Sequence, residues 1–246
     1  MRKVIFHYHL FKNAGTSLDF ALQQQFSKQN GEWVTAEFPA QEGKNRAMVR
    51  EWVAKSESAK CFSSHTAYLP VPVIENVEVF PIIFIRHPID RIASAYAFEK
   101  KQGAGTFGSV LARNTNLKGY IETRLSIPLD RQCRNFHTQR FATKYPAANI
   151  SEFEKAQKAV TELPFVGMVE KFSESLALLS SKLGEFGFDG LSLEVSEKNV
   201  SQKKSLSLEE KIEGIETEIG SELFSKLVEA NQEDLALHRI VSEIYE

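Results

Sequence analysis

The sequence predicts an α/β fold in which a central, mostly parallel sheet lies between layers of helices. Three apolar, strand-like runs support this prediction, at residues 3–10, 77–86 and 165–169. Each run is followed by a segment with helical patterning, and strands that alternate with helices usually form a parallel sheet. Residues 82–85 are continuously apolar, as expected for a strand that is covered on both faces.

The remaining elements are predicted from capping and turn signals. Two capping boxes, Ser151 with Glu154 and Ser207 with Glu210, mark helix starts, and Pro88 suits the first turn of a third helix. In chain order, the sequence predicts helices at residues 16–27, 44–57 and 88–101, a short strand at 60–64, a loop at 103–108, mostly helical chain at 109–143, and helices that begin after residues 151, 169 and 207.

Length and composition predict one globular domain that spans residues 1–246. The chain has a mass of 27.8 kDa and is 42% hydrophobic and 25% charged, which is sufficient for a sizeable core. A formal net charge of -2 argues against a nucleic-acid-binding protein. Cys61 and Cys133 are too few for a disulfide framework, so we expect buried thiols in a reducing compartment.

The sequence contains no targeting or membrane signal that we recognise. No apolar run approaches the roughly 18 residues of a membrane span. Lys12 interrupts the N-terminal apolar run too early for a secretory signal, and the first strand is predicted to begin almost at Met1. We therefore expect a cytoplasmic protein.

A short polar loop follows the first predicted strand and leads directly into a helix. Its residues are Lys12, Asn13, Ala14, Gly15, Thr16 and Ser17. Ligands of open α/β sheets collect at the carboxyl ends of the strands, and small residues let backbone N–H groups approach an anion there. Lys12 adds a full charge, and the two hydroxyls add donors. The loop is thus a candidate anion site, and an ordinary capped turn with a solvated lysine is the alternative.

A second cluster repeats the order of strand end, turn and helix start. In FIRHPIDRIASAY, residues 84–96, Arg86 lies at the carboxyl end of its strand and Ser94 lies two turns into the helix. A guanidinium and a helix hydroxyl can bind a second phosphate group. The alternative is a surface ion pair between Asp90 and Arg86 or Arg91.

Together, K-x-x-G-T-S at 12–17 and R-x-P-x-x-R-x-x-S-x-Y at 86–96 resemble the motifs of the PAPS-dependent sulfotransferases. PAPS is 3′-phosphoadenosine 5′-phosphosulfate, the sulfuryl donor, and PAP is its product. The resemblance implies a P-loop-like fold in which the first loop holds the 5′-phosphosulfate and Arg86 and Ser94 contact the 3′-phosphate. NFHTQRF and PFVGMVEKF, further along the chain, are similar to segments of the carbohydrate branch, near the uronyl 2-O-sulfotransferases.

Two details of the resemblance concern the donor. KNVSQKKS, residues 198–205, resembles the basic loop that closes over the nucleotide in that branch, which implies that Lys203 and Lys204 contact the donor. Because basic loops are common, two solvated lysines are the alternative. Ala14 stands where many members have glycine, and its methyl group is expected to be tolerated.

The expected chemistry is an in-line transfer that depends on positioning and charge stabilisation, as in phosphoryl transfer. In this scheme Lys12 neutralises charge that develops on the leaving phosphate. No metal is required, and no carboxylate or Cys/His cluster has convincing ligand spacing. His7 and His9 share one face of the first strand, where hydrogen-bonded histidines are favoured over a metal pair. His9 can still border the active site.

The acceptor hydroxyl needs a base. His65 ends the short strand in CFSSHTAY, and in the resembling 2-O-sulfotransferases a histidine in the corresponding segment is the general base. A histidine pKa near ~6.5 suits this role. Ser63 departs from that branch, which often has another histidine there, so details of the acceptor site do not transfer. Glu37 is the rival base.

Two other functions remain open from the sequence. A nucleotide kinase would share the fold, but its terminal G-K-[ST] is missing. A regulatory protein that binds PAP without turnover is the second alternative. For the sulfotransferase, the acceptor can be a glycan, a lipid-linked sugar or another small molecule, and the sequence does not indicate an oligomeric state.

Overall fold

The computed structural model describes residues 1–193 and 206–246. Its strands are β1 (Arg2–Tyr8), β2 (Trp33–Thr35), β3 (Cys61–Ser64), β4 (Val77–Ile85) and β5 (Gly167–Met168). They form one parallel sheet in the order β2-β3-β1-β4-β5. The predicted α/β class with a central parallel sheet is confirmed. The three-residue strand β2 was not predicted, because it is too short to show a pattern.

Helices cover both faces of the sheet and fill most of the second half of the chain. Among the described residues they are α1 (Gly15–Gln25), α2 (Glu42–Lys55), α3 (Pro88–Lys101), α4 (Phe107–Asn114), α5 (Leu117–Ser126), α6 (Phe136–Ala142), α7 (Glu152–Glu162), α8 (Phe172–Phe186), α9 (Leu208–Ile219), α10 (Ser221–Glu229) and α11 (Gln232–Ser242), with a final 3₁₀ turn at Glu243–Tyr245. Both predicted capping boxes are confirmed, at the starts of α7 and α9.

Several boundaries differ from the prediction by one or two residues, and two of these differences have a clear local cause. β1 ends at Tyr8 and not at residue 10, because the backbone N–H of Leu10 donates to the Tyr8 carbonyl and turns the chain out of the sheet. The predicted loop at 103–108 is shorter, since α4 begins at Phe107 after a cap in which the Thr106 side chain accepts from the Ser109 N–H. Both Cys61 and Cys133 are buried free thiols, as predicted.

The alternation of side chains along β1 divides the core and sets up the site. Val4, Phe6 and Tyr8 face α2, α6, α7 and α11, whereas Ile5 packs with α1 and α8 on the opposite face. His7 therefore lies on the α1 side of the sheet, as does His9 beyond the strand end. A third cluster joins α3 to α5, α9 and α10. Within the described ranges, every helix is too short or too polar to cross a bilayer.

Candidate active site

A cleft of about 470 Å³ lies at the carboxyl edge of the sheet, where β1, β3 and β4 end. The loop after β1 forms its floor. Its walls are formed by His65, Arg86, Phe98 of α3 and Gln102, the residue that follows α3. Of the predicted site residues, the structure brings seven to this cleft: Lys12, Ala14, Gly15, Thr16, Ser17, His65 and Arg86. The two sequence clusters, more than 70 residues apart, are therefore one site.

Two predicted donor contacts are not part of the cleft wall. Ser94 is half-buried two turns into α3 and is not among the described residues that line the cleft. Asn13 is buried and its side chain faces inward. Lys203 and Lys204 lie outside the described residues, so the structure does not place them.

The loop backbone is bent to expose N–H groups at the start of α1. Lys12 and Ala14 have left-handed conformations, with φ of 63° and 57°. Turns in which left-handed backbone conformations alternate with right-handed ones form concave sites that bind anions. The first N–H groups of a helix also have no partner within the helix. Ala14 caps α1 without a side-chain hydrogen bond. A left-handed alanine costs roughly 1–2 kcal/mol, so glycine would suit this position better on conformational grounds.

Positive charge accumulates on one side of the cleft. Burial, together with the neighbouring charges of Arg86 and Lys101, lowers the pKa of Lys12. The Lys12 ammonium also lies over the Phe98 ring, 4.5 Å from its centroid. Arg86 Nε donates to Asp90 Oδ2 at 2.6 Å, and one terminal nitrogen lies 3.5 Å from the Lys12 carbonyl oxygen, which leaves the remaining N–H groups of the guanidinium for other acceptors. An anion bound between the two cations would relieve their mutual repulsion.

A buried network supports the loop from below. Asn13 Nδ2 donates to the Phe11 carbonyl, and Asn13 Oδ1 lies 2.8 Å from His137 Nε2. His137 is in turn hydrogen-bonded to Asp234 of α11, through its ring and its backbone N–H. Asp234 also accepts from the N–H and hydroxyl of Thr138, so one carboxylate caps the start of α6. Asn13 thus supports the loop's shape and does not face the ligand.

We expect His137→Ala to weaken anion binding although the residue is buried and does not line the cleft. Loss of the ring leaves Asn13 and Asp234 without their shared partner, and an unsatisfied buried polar group costs about 1–3 kcal/mol. Thermal unfolding should show a lower Tm, and isothermal titration calorimetry should show weaker PAP binding. His137→Gln, which retains a donor, should recover part of both; equal losses in the two variants would contradict the network's role.

A histidine–carboxylate cluster adjoins the other side of the loop. Asp19 of α1 accepts from His7 Nδ1 at 2.6 Å and from His9 Nδ1 at 2.8 Å. The Ser63 hydroxyl donates to the same carboxylate at 2.8 Å, so this serine helps to hold Asp19 in place. Burial favours the neutral form of Asp19, but the two imidazole hydrogen bonds outweigh it and hold its pKa well below the usual range.

The cluster also has the composition of a metal site, with three candidate ligand atoms within 4.8 Å of one another. However, the two nitrogen–oxygen separations are hydrogen-bond distances, which indicates shared protons. The His9 ring packs directly on Gly15: a Cβ at that residue would lie 2.1 Å from His9 Cδ2. Glycine is therefore required here by the histidine as well as by the anion loop.

His65 projects from the end of β3 onto the cleft, against the ring of His9. The two ring centroids are 3.8 Å apart. Glu37 holds the His65 segment: one carboxylate oxygen accepts from the His65 backbone N–H at 3.2 Å and the other from the Thr66 hydroxyl at 2.7 Å. Partial burial and the neighbouring His9 lower the pKa of His65, although Glu37 and Asp19 oppose the shift. His65 is therefore neutral at physiological pH.

Several of these residues were not predicted from the sequence. Asp19 lies two residues after the loop, in the first turns of the predicted helix. The available sequence signal for its role was a carboxylate on the helix that follows the strand carrying His7 and His9. His137 and Asp234 are 97 residues apart, and no local pattern connects them. Phe98 falls within the predicted helix, where an exposed aromatic residue has no distinctive spacing.

Comparison with known proteins agrees with this geometry. A family model described as the sulfotransferase family matches residues 1–239. A protein of Archaeoglobus fulgidus, described as uncharacterized, is 39% identical over 254 residues; the match covers 99% of this chain and 98% of that protein.

Proposed function

The chain belongs to the sulfotransferase family, and we propose that it moves the sulfuryl group of PAPS onto a hydroxyl of a carbohydrate or sugar-containing acceptor. The family match supports sulfuryl transfer by one domain spanning residues 1–246. The similarity of NFHTQRF and PFVGMVEKF to the carbohydrate branch supports the acceptor class. No residue of either segment lines the cleft. The acceptor class therefore rests on the sequence resemblance.

The observation that carries the proposal is that Lys12, Arg86 and the start of α1 line one cleft. We assign Lys12 and the start of α1 to one phosphate group of the donor, and the N–H groups of Arg86 that do not bond to Asp90 to the other. PAPS has its phosphate groups at two positions, on the 3′ and 5′ oxygens of one ribose. A nucleoside triphosphate instead has a single linear chain of phosphates, which one continuous loop can hold.

In the proposed reaction, the loop residues Ala14 to Ser17 bind the 5′-phosphosulfate and Arg86 binds the 3′-phosphate. The acceptor oxygen attacks sulfur as the bond between sulfur and the bridging oxygen breaks. Lys12 stabilises the charge that accumulates on the departing phosphate, where a preorganised cation contributes most. Lys12 is well suited because Arg86 and Lys101 already crowd it with positive charge.

We assign to His65 the role of the base that accepts the proton of the acceptor hydroxyl. Its neutral ring lines the cleft, and the Glu37 carboxylate is absent from the lining. Both oxygens of Glu37 already accept hydrogen bonds from the His65 segment, which supports a holding role for Glu37. Removal of the proton as the new S–O bond forms prevents a positive charge from developing on the acceptor oxygen.

The experiment is a transfer assay with PAPS that carries a radiolabelled sulfuryl group. The purified protein is incubated with pools of glycans, lipid-linked sugars and small hydroxylated molecules, and labelled product and released PAP are measured together. We expect label in a sugar-containing acceptor with one PAP formed per transfer. Label that appears exclusively in non-sugar acceptors would overturn the carbohydrate assignment, and PAP release without any labelled product would indicate hydrolysis alone.

Lys12→Ala should separate binding from catalysis. Because the largest interaction of Lys12 forms as the leaving group gains charge, we expect kcat to fall by at least ~100-fold while PAP affinity falls by less than ~10-fold. Single-turnover kinetics and PAP calorimetry on the same preparation measure the two effects. If both fall by the same factor, Lys12 is a binding residue and does not stabilise the leaving group.

A further inference from the structure

We propose that His9, held by Asp19, is a positioning residue for His65: it supports the His65 ring in the orientation from which that ring takes the acceptor's proton. This inference rests on the proposed function and deepens it. The observations that carry it are a chain of contacts from Asp19 to His9 and from His9 to His65.

The first contact fixes His9. Its Nδ1 donates to Asp19 Oδ2 at 2.8 Å, and its ring lies on the bare backbone of Gly15. The side chain is only 9% exposed. Asp19 is itself held by His7 and Ser63, so each group in the cluster has a partner that sets its direction. A ring held on both sides in this way forms a rigid support.

The second contact passes this rigidity to His65. Ring centroids 3.8 Å apart, with planes inclined by 46°, place the two imidazoles in van der Waals contact and not in a head-on N–H to N hydrogen bond. His9 therefore does not relay the proton through this contact. Its ring limits rotation of the otherwise exposed His65 side chain. Orientation matters here, because a misplacement of about 1 Å can cost 10²-fold in rate.

Charge favours the same arrangement. The proton leaves the acceptor O–H as its oxygen bonds to sulfur, and it moves to the unprotonated nitrogen of His65. The resulting imidazolium lies near the ionised Asp19, which stabilises a cation. The titratable groups that act on His65 are His9, Glu37 and Asp19. His9 lowers the His65 pKa and the two carboxylates raise it.

The test compares the same substitution at two histidines of the cluster. His9→Asn retains an N–H donor for Asp19 but removes the ring that supports His65. His7→Asn makes the matched change at a ring that contacts His9 and Asp19 but not the cleft. We expect His9→Asn to lower kcat by roughly 10–100-fold with PAP affinity within ~3-fold of wild type. His7→Asn should lower kcat by less than His9→Asn does, because Asp19 keeps its hydrogen bonds to His9 and Ser63 and the His9 ring still supports His65.

NMR titration of the His65 ring provides the readout that a merely structural role would not change. We expect the His65 pKa to rise in His9→Asn and to fall in Asp19→Asn, because these variants remove opposite influences. Unchanged kcat and unchanged titration in folded His9→Asn would overturn the proposal. So would equal kcat losses in His9→Asn and His7→Asn.

The titration also separates this inference from the proposed function. If the wild-type protein transfers no sulfuryl group from PAPS, the proposed function fails. The His65 titration can still be measured in that case, and opposite shifts in the two variants would show that His9 and Asp19 control the ring.

Discussion

Arg86→Ala is expected to weaken PAP binding by roughly 10- to 150-fold. The guanidinium would form charge-assisted hydrogen bonds to the 3′-phosphate, and such bonds contribute about 1.5–3 kcal/mol. The variant also removes one of the neighbouring charges that, together with burial, lower the pKa of Lys12. Isothermal titration calorimetry with PAP measures the net effect.

Two further variants show whether the loss comes from the binding geometry. Arg86→Lys retains the charge but not the planar fork, and it should bind PAP with intermediate affinity. Arg50 is exposed on α2 and does not line the cleft, so Arg50→Ala should bind PAP like the wild type. PAP affinity that is unchanged in a folded Arg86→Ala protein would remove Arg86 from the donor site.

His65→Ala is expected to lose most of its turnover while retaining PAP affinity. A positioned general base contributes about 10²–10⁴-fold, or roughly 3–5 kcal/mol of barrier. PAP affinity should stay within ~3-fold, because the ring faces the acceptor side of the cleft next to His9. Steady-state kinetics with a saturating acceptor and PAP calorimetry test the two statements separately. Glu37→Gln is the comparison: if it is inactive and His65→Ala is active, the base is Glu37.

The pH profile tests the same base without a mutation. His65 can accept a proton only when neutral, so kcat/KM should rise with pH through the His65 pKa and then level off. Because partial burial and His9 lower that pKa, the rise should lie below the usual histidine range near ~6.5. A rise centred well above this range would indicate a different base.

The parts of this molecule that could be predicted are those encoded in short, continuous stretches. The buried run of β4, the capping boxes of α7 and α9, and the loop from Lys12 to Ser17 each have a local physical signature. Parallel pairing then places Lys12 and Arg86 at the same sheet edge, because β1 and β4 are neighbours in register. The convergence of two anion-binding motifs therefore followed from local patterns and one topological rule.

The remaining features depend on contacts between distant segments. Asn13 was expected to face the donor, but its side chain bonds to His137, which α11 holds through Asp234. Ser94 has suitable spacing for a phosphate contact, yet helix α3 presents Phe98 to the cleft. The pairing of His9 with Asp19 depends on the angle at which α1 crosses β1. Side-chain direction in such cases is set by packing, which a pattern of residue types does not specify.

The most direct test of a PAPS site is a comparison of PAP with ADP by calorimetry on the wild-type protein and on Arg86→Ala. Both ligands are adenosine with two phosphates, and they differ only in whether the second phosphate is on the 3′ oxygen or on the 5′ chain. We predict that PAP binds the wild type at least ~10-fold more tightly than ADP and that Arg86→Ala removes this preference. Equal or tighter binding of ADP, unaffected by the substitution, would contradict a site built for two separated phosphates.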